Sequence, residues 1–548
     1  MIATLAGLLL ARAEDDSDAL LFEDQRWSWR ELLAETAVRS AALQELRPDG
    51  RPWHVGVLLD NSPEYLFLVA AAGLSGATVV GINPTRRGTE LAADIRTTDC
   101  DTIITEPGHL ALLDGIDHGA ARVLVAGEPS YDDLLERHRE APVEATPAAL
   151  DPATLLLLLF TSGSTGTPKA VVCTTGRFAV LCQVTPLQLG PDDVAYNAMP
   201  MFHGNALMAS WGPCLAHGST FATRRRFSAS GFLPDVQRFG ATYFNYVGRS
   251  LSYVLAQPER PDERDNRLRM GFGTEASERD RAEFERRFDC PLVESYGSSE
   301  GTCSIRRVPG TPAGALGLPA EQTPVEVLAP DGTPCPPARF SADGRMDNPE
   351  EAIGEIVATG AAARFEGYYN NPDATADKIR GDDYWSGDLA YRDEDGWFWF
   401  AGRTADWIRV DSENFAAAPV ERILARHPDV SVAAVYAVPD PRTGDRVMAT
   451  LQLSTPVADF DPDAFAAFLT EQADLGTKSM PSFLRVTADL PVTATRKVDK
   501  PELKRLQWTG PDPVFERTPD GYRPLTDERV AALRAEFAEH RRTGLLTG

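Results

Sequence analysis

The nine residues Thr161-Ser162-Gly163-Ser164-Thr165-Gly166-Thr167-Pro168-Lys169 combine hydroxyls, two glycines and a lysine between apolar runs, Leu155 to Phe160 and Ala170 to Cys173. Strand, polar loop, strand is the expected reading. A loop of small residues can turn several backbone N–H groups into one concavity, which suits phosphate oxygens. The glycines permit backbone angles and close approach that a Cβ would block. Lys169 adds a positive charge. The spacing is not that of the common phosphate loop, because no Gly-Lys-Ser/Thr follows the second glycine. Alone, such a loop is as often an ordinary turn.

Four further segments carry candidate chemistry. Ser295-Tyr296-Gly297-Ser298-Ser299-Glu300-Gly301 offers an aromatic face, hydroxyls and a carboxylate. Hard oxygen donors of that kind suit magnesium. In Tyr384-Trp385-Ser386-Gly387-Asp388-Leu389 an Asp follows a glycine turn. One carboxylate can accept hydrogen bonds from both hydroxyls of a ribose. Gly402-Arg403-Thr404-Ala405-Asp406-Trp407-Ile408 stands where a domain linker is expected, and Thr493-Ala494-Thr495-Arg496-Lys497-Val498-Asp499-Lys500 sets a lysine in a late polar loop.

These segments must be held by a sizeable frame. At 548 residues the chain exceeds one domain. Helical and strand-like patterns alternate through residues 15–150 and again from Val194 to Glu300, which predicts doubly wound α/β sheets. Short strands with Gly, Pro and Asp turns follow from about 310 to 400, then a compact α+β block over 404–505. A helix opened by Thr526-Asp527-Glu528 ends the pattern. The expected domains are therefore 1–403 and 404–548. Apolar content of 43% and charged content of 24% fit a globular protein. A formal net charge of -26 repels nucleic acid and anionic lipid, so neither is an expected partner. Seven cysteines without a CxxC pair read as reduced thiols in a cytoplasmic protein. No apolar run reaches the ~18 residues that span a membrane. Ile2 to Leu10 lacks a preceding basic residue and reads as a short first helix packing Leu5, Leu8 and Leu9.

In this order and spacing, the segments resemble the adenylate-forming superfamily of acyl-CoA synthetases, peptide-synthetase adenylation domains and luciferases. The resemblance covers roughly residues 5–505. It is nearest the very-long-chain acyl-CoA synthetase and fatty-acid-transport-protein branch, through Arg226-Phe227-Ser228-Ala229-Ser230, Gln257-Pro258-Glu259-Arg260-Pro261 and Ser412-Glu413-Asn414-Phe415. It implies an AMP-forming ligase using ATP, Mg2+ and CoA. The loop Thr161, Ser162, Gly163, Ser164, Thr165, Gly166 and Lys169 would hold the β- and γ-phosphates, with Thr161 also near the metal. Tyr296 would stack on adenine beside Gly297 and Ser298. Ser299 and Glu300 would serve phosphates and magnesium. Asp388 would hold the ribose, supported by Arg403, and Lys497 would be the catalytic lysine of a mobile C-terminal lid hinged at Ala405. His203 matches an aromatic gate beside the acyl pocket. Candidate pocket residues are Trp211, Tyr243, Asn245, Tyr246, Gly273 and Thr274.

The chain departs from the family pattern in four places. Ala405 stands at a hinge position that is usually Asp or Lys. Arg496 replaces a glycine before the lysine, Ser299 a threonine, and Ser412 a glycine in the loop facing the thiol channel. Trp211 is bulky where long-chain relatives carry a smaller residue, which points to a short, medium or aromatic acid. Read as core, the same Trp211 says nothing of the acid. The competing readings are an adenylating relative with another acceptor (a carrier-protein thiol or an amine) or another acid (nitrite, as in ATP-dependent diazotases), and a catalytically silent relative. Oligomeric state is not legible.

Overall fold

The computed structural model describes residues 2–546 apart from 162–168, 184–188, 275, 277, 321–322, 343–345, 404–406, 411–412, 443–444, 473, 477, 494–496 and 541. Chain contacts cluster into two compact units. The first takes residues 2–161, 169–302 and 363–377; the second takes 303–362 and 378–546.

The first unit contains two largely parallel sheets, as the alternating strand and helix patterns predict. One is ordered Arg122–Val125, Thr102–Thr105, His54–Leu58, Thr78–Gly81, Leu155–Thr161 and Lys169–Thr174. All neighbours are parallel except the last pair, where Leu155–Thr161 and Lys169–Thr174 run antiparallel. These strands read as continuous apolar runs because both faces are covered. Leu58, Val80, Ile103, Leu158 and Ala170 share one core with Leu91 and Ile95 of the helix Gly88–Thr97. The other sheet runs Leu292–Gly297, Met270–Thr274, Tyr243–Val247, Val194–Asn197, Thr220–Thr223, Asp18–Phe22 and Gln25–Ser28. Among these seven strands only the last pair is antiparallel.

Local signals set the helix starts. Ser28 accepts from the Glu31 N–H while Glu31 accepts from the Ser28 N–H, a capping box that opens Trp29–Glu45. The first helix is Leu5–Leu10, with Leu5, Leu8 and Leu9 buried as expected.

The second unit holds the hairpin-rich sheet and the terminal block. Val325–Leu328, Gly354–Ala358, Asp383–Arg392 and Ile379–Arg380 pair in that order, and Phe398–Arg403 pairs with Asp383–Arg392. A hairpin of Trp407–Val410 and Glu413–Ala416 follows. A sheet of Val430–Pro439, Asp445–Leu453, Phe483–Thr487, Val514–Thr518 and Gly521–Pro524 closes the chain's pattern. Its last two strands were not expected from the sequence. The helix Asp527–Glu539 begins at a Thr526 hydroxyl that accepts from the Arg529 N–H. All seven cysteines are buried thiols. Among the described residues no helix is long and apolar enough to cross a membrane.

Candidate active site

The strand pair Leu155–Thr161 and Lys169–Thr174 presents the phosphate-loop candidates. Thr161 and Lys169 are register partners across it. Ser162, Gly163, Ser164, Thr165 and Gly166 lie outside the described residues. Lys169 Nζ sits 5.2 Å from the ring centroid of Tyr368, within cation–π range.

Glu300 is buried, at 8% exposure. Its Oε1 accepts a 2.7 Å hydrogen bond from the Tyr368 hydroxyl. Burial first, then the Glu300 charge and this hydrogen bond, push the Tyr368 phenol far above its ordinary range. It is therefore a committed donor. A hydrogen bond to a charged group contributes about 1.5–3 kcal/mol. The turn before Glu300 is held by Arg177, which donates through Nη2 to the Ser299 carbonyl and through Nη1 to the Val172 carbonyl at 2.7 Å. Gly301 has φ +67°, and a Cβ there would lie 2.7 Å from Arg177 Nη2. Glycine meets both conditions without strain or displacement of Arg177. Tyr296 is half-buried on the strand Leu292–Gly297, with Gly297 and Ser298 exposed beyond it. The carboxylate of Glu300 and the hydroxyl of Thr161 are hard oxygen donors, the chemistry that Mg2+ takes.

In the second unit Asp388 and Arg403 are register partners on adjacent strands. The Asp388 N–H donates to Ser386 Oγ at 3.0 Å. The preceding Gly387 N–H donates to Glu355 Oε1 at 2.5 Å. Burial raises the pKa of Glu355 in spite of that bond. At Lys497 the Thr493 N–H donates to the backbone carbonyl at 2.8 Å, and the Lys497 N–H donates to Thr493 Oγ1 at 3.2 Å. Ala405, Ser412 and Arg496 lie outside the described residues.

The acyl-pocket candidates divide. Alternation along Tyr243–Val247 sends Tyr243 and Asn245 to one face and Phe244 and Tyr246 to the other. The Tyr243 hydroxyl donates to the Ala209 carbonyl at 2.7 Å, and Asn245 Nδ2 to Asn205 Oδ1 at 2.5 Å. Both grip the turn around Leu207–Trp211, a π-helix. Such turns are rare and frequent at functional sites. Tyr246 instead covers its register partner Gly273, where a Cβ would lie 2.5 Å from its ring. Thr274 ends the neighbouring strand, half-buried. Trp211 is fully buried, with its ring 6.0 Å from that of Phe178. His203 precedes the short helix Gly204–Ala206, its ring 4.6 Å from Phe202.

Two residues in this region were missed from the sequence. Tyr368 was signalled by Gly367-Tyr368 ahead of Asn371-Pro372 and Thr375. Asn61, at 5% exposure, has no comparable pattern. Its Nδ2 donates to the carbonyls of Met199 (3.0 Å) and Arg224 (3.2 Å), and its Oδ1 accepts from the Met201 N–H (2.9 Å). It thus fastens the segment that leads into His203.

A family model described as AMP-binding enzyme matches residues 10–369, and one described as AMP-binding enzyme C-terminal domain matches 419–497. The chain belongs to the AMP-binding enzyme family. This family member is 51% identical over 551 residues to a steroid-22-oyl-CoA synthetase of Rhodococcus jostii, covering 99% of each chain. It is 45% identical over 516 residues to a medium/long-chain-fatty-acid–CoA ligase, FadD17, of Mycobacterium marinum, covering 93% of this chain and 98% of the relative. Among solved structures, ATP-bound MatB from Rhodopseudomonas palustris aligns with a TM-score of 0.80 at 23% identity, over 92% of this chain and 98% of that one. That likeness concerns the fold. With these relatives, the AMP-binding family member is an AMP-forming acid–CoA ligase that activates an acid with ATP.

Proposed function

We propose that this ligase activates the carboxylate of a steroid-22-oyl group and transfers the acyl group to CoA. The observation that carries this reading is the 51% identity to the steroid-22-oyl-CoA synthetase along the full length of both chains. A carboxylate must attack the α-phosphate of ATP, so two anions have to meet. In this proposal the loop from Thr161 to Lys169 holds the β- and γ-phosphates, with Ser299 beside them. Tyr296 stacks on adenine, next to Gly297 and Ser298. Asp388 holds the ribose with Arg403 beside it. Glu300 and Thr161 would hold Mg2+, which neutralises charge between the phosphates and the attacking group when bound. Lys497 stabilises the charge that collects in adenylation. The block from residue 404 onward is the lid, hinged at Ala405, that shields the reactive mixed anhydride from water. His203 gates the acyl pocket, and Tyr243 and Asn245 shape it through the π-helical turn. A cytoplasmic location goes with this reading.

The test is a panel assay with purified enzyme, ATP and CoA, reading AMP and thioester. The panel contains a steroid C22 acid, medium- and long-chain fatty acids, short and aromatic acids, and nitrite. The steroid acid is expected to give the highest kcat/KM, by about tenfold or more, since binding energy from a large acyl group is realised in the transition state. A higher kcat/KM for a fatty, short or aromatic acid overturns the substrate assignment. AMP release without thioester would point to another acceptor.

A further inference from the structure

The segment around Tyr368 is docked along the strand that leaves the phosphate loop. The Val172 N–H donates to the Gly367 carbonyl at 3.1 Å, and the Tyr369 N–H to the Ala170 carbonyl at 2.8 Å. Val171 and Tyr368 form an antiparallel bridge between them. Glu366 accepts from both the Thr174 hydroxyl (2.6 Å) and its N–H (2.8 Å). The Tyr368 N–H donates to Thr375 Oγ1 at 2.9 Å, and its ring meets Phe365 edge-on at 5.1 Å. Backbone and ring are thus fixed independently of the hydroxyl. That rigid ring touches two groups of the proposed ATP site at once: its hydroxyl holds Glu300 Oε1 and its face carries Lys169 Nζ.

We infer that Tyr368 is the positioning residue for the metal carboxylate and the loop lysine. One oxygen of Glu300 is committed to the phenol, which leaves the other for the cation. The Lys169 ammonium is registered over the same ring, so both charges are set before ATP arrives. A buried carboxylate without this donor would sample other rotamers and bind the cation less tightly. The inference rests on the reading of Glu300 as a metal ligand.

The test uses the full chain and Mn2+ as the probe, with water-proton relaxation reporting the ternary complex with ATP. Tyr368→Phe keeps the ring and removes only the donor. It is expected to weaken Mn2+ in that complex about tenfold, the scale of one hydrogen bond to a charged group. The free Mg2+ needed for half-maximal ATP–pyrophosphate exchange rises by a similar factor, and saturating Mg2+ restores most of the rate. Tyr368→Leu removes the ring as well and is expected to weaken ATP binding in EDTA, where Tyr368→Phe leaves it unchanged. Unaltered metal affinity in Tyr368→Phe, or a rate loss that Mg2+ does not restore, overturns the positioning role. Glu300→Gln serves as the control. If it binds Mn2+ as the wild type does, the Glu300 reading fails and the inference with it.

Discussion

Replacing Asn61 should loosen the segment 199–203 and damage use of the acid more than use of ATP. The side chain makes three hydrogen bonds of 2.9–3.2 Å to backbone groups of Met199, Met201 and Arg224. Each neutral bond is worth about 1 kcal/mol net, and a buried partner left unmade costs about 1–3 kcal/mol. Asn61→Ala should therefore destabilise by roughly 3 kcal/mol. Asn61→Asp keeps the acceptor for the Met201 N–H but sets a carboxylate against two carbonyl oxygens. It should be less stable than Asn61→Ala at neutral pH, and the gap should narrow on acidification as the new carboxyl protonates and donates to one carbonyl. Urea unfolding at pH 7 and pH 5 measures both effects. Kinetics should show the KM for the acid raised about tenfold in Asn61→Ala, equivalent to 1.4 kcal/mol, with little change in the KM for ATP. Stability within about 1 kcal/mol of wild type together with an unchanged acid KM would refute the reasoning.

Lys497→Ala should slow adenylation by roughly 10²–10³-fold, as for loss of one preorganised electrostatic group. Thioester formation from a supplied acyl-adenylate should be spared, and equal loss in both halves would contradict its role. Gly301→Ala meets a left-handed backbone penalty of about 1–2 kcal/mol and displaces Arg177 from the Ser299 carbonyl. A fall in melting temperature with reduced pyrophosphate exchange is expected, and neutrality in both would count against this account of the turn. The Asp60 carboxyl lies below its ordinary 3.8: burial pushes it up, but hydrogen bonds and charge from His109 and Arg226 prevail. A depressed folded value adds stability above pH 3.8 that is lost as pH falls through that value. Melting curves from pH 6 to 3 should therefore be shallower in Asp60→Asn than in wild type; parallel curves would dismiss the contribution.

The sheet cores were legible because burial on both faces writes itself as unbroken apolar runs, as in Leu155 to Phe160. The nine residues from Thr161 to Lys169 stood out because hydroxyls, glycines and a lysine fall together, and the strands Leu155–Thr161 and Lys169–Thr174 flank them as expected. The turn at Gly367-Tyr368 had a signal, but the reach of the Tyr368 hydroxyl to Glu300, 68 residues away, and of Asn61 to Met201, 140 residues away, had none. No periodicity carries such a bond. The split of Tyr243 and Asn245 from Tyr246 follows from strand alternation, but which face meets the turn Leu207–Trp211 is decided by tertiary contacts. The strands Val514–Thr518 and Gly521–Pro524 are short and show no polar–apolar alternation, so pairing, first with Phe483–Thr487 and then with each other, is what makes them strands.

The buried cysteines bear on a hazard of this chemistry. An enzyme that makes a mixed anhydride and then admits a thiol must keep its own thiols from competing for the acyl group. Thiolate, not thiol, is the nucleophile. Burial pushes Cys100, Cys173 and Cys290 up to about 12, and raises Cys182, Cys214 and Cys335 as well. None of these six can rival the incoming substrate at neutral pH. All seven thiols are also buried, so a thiol-modifying reagent should leave the native enzyme active until it unfolds.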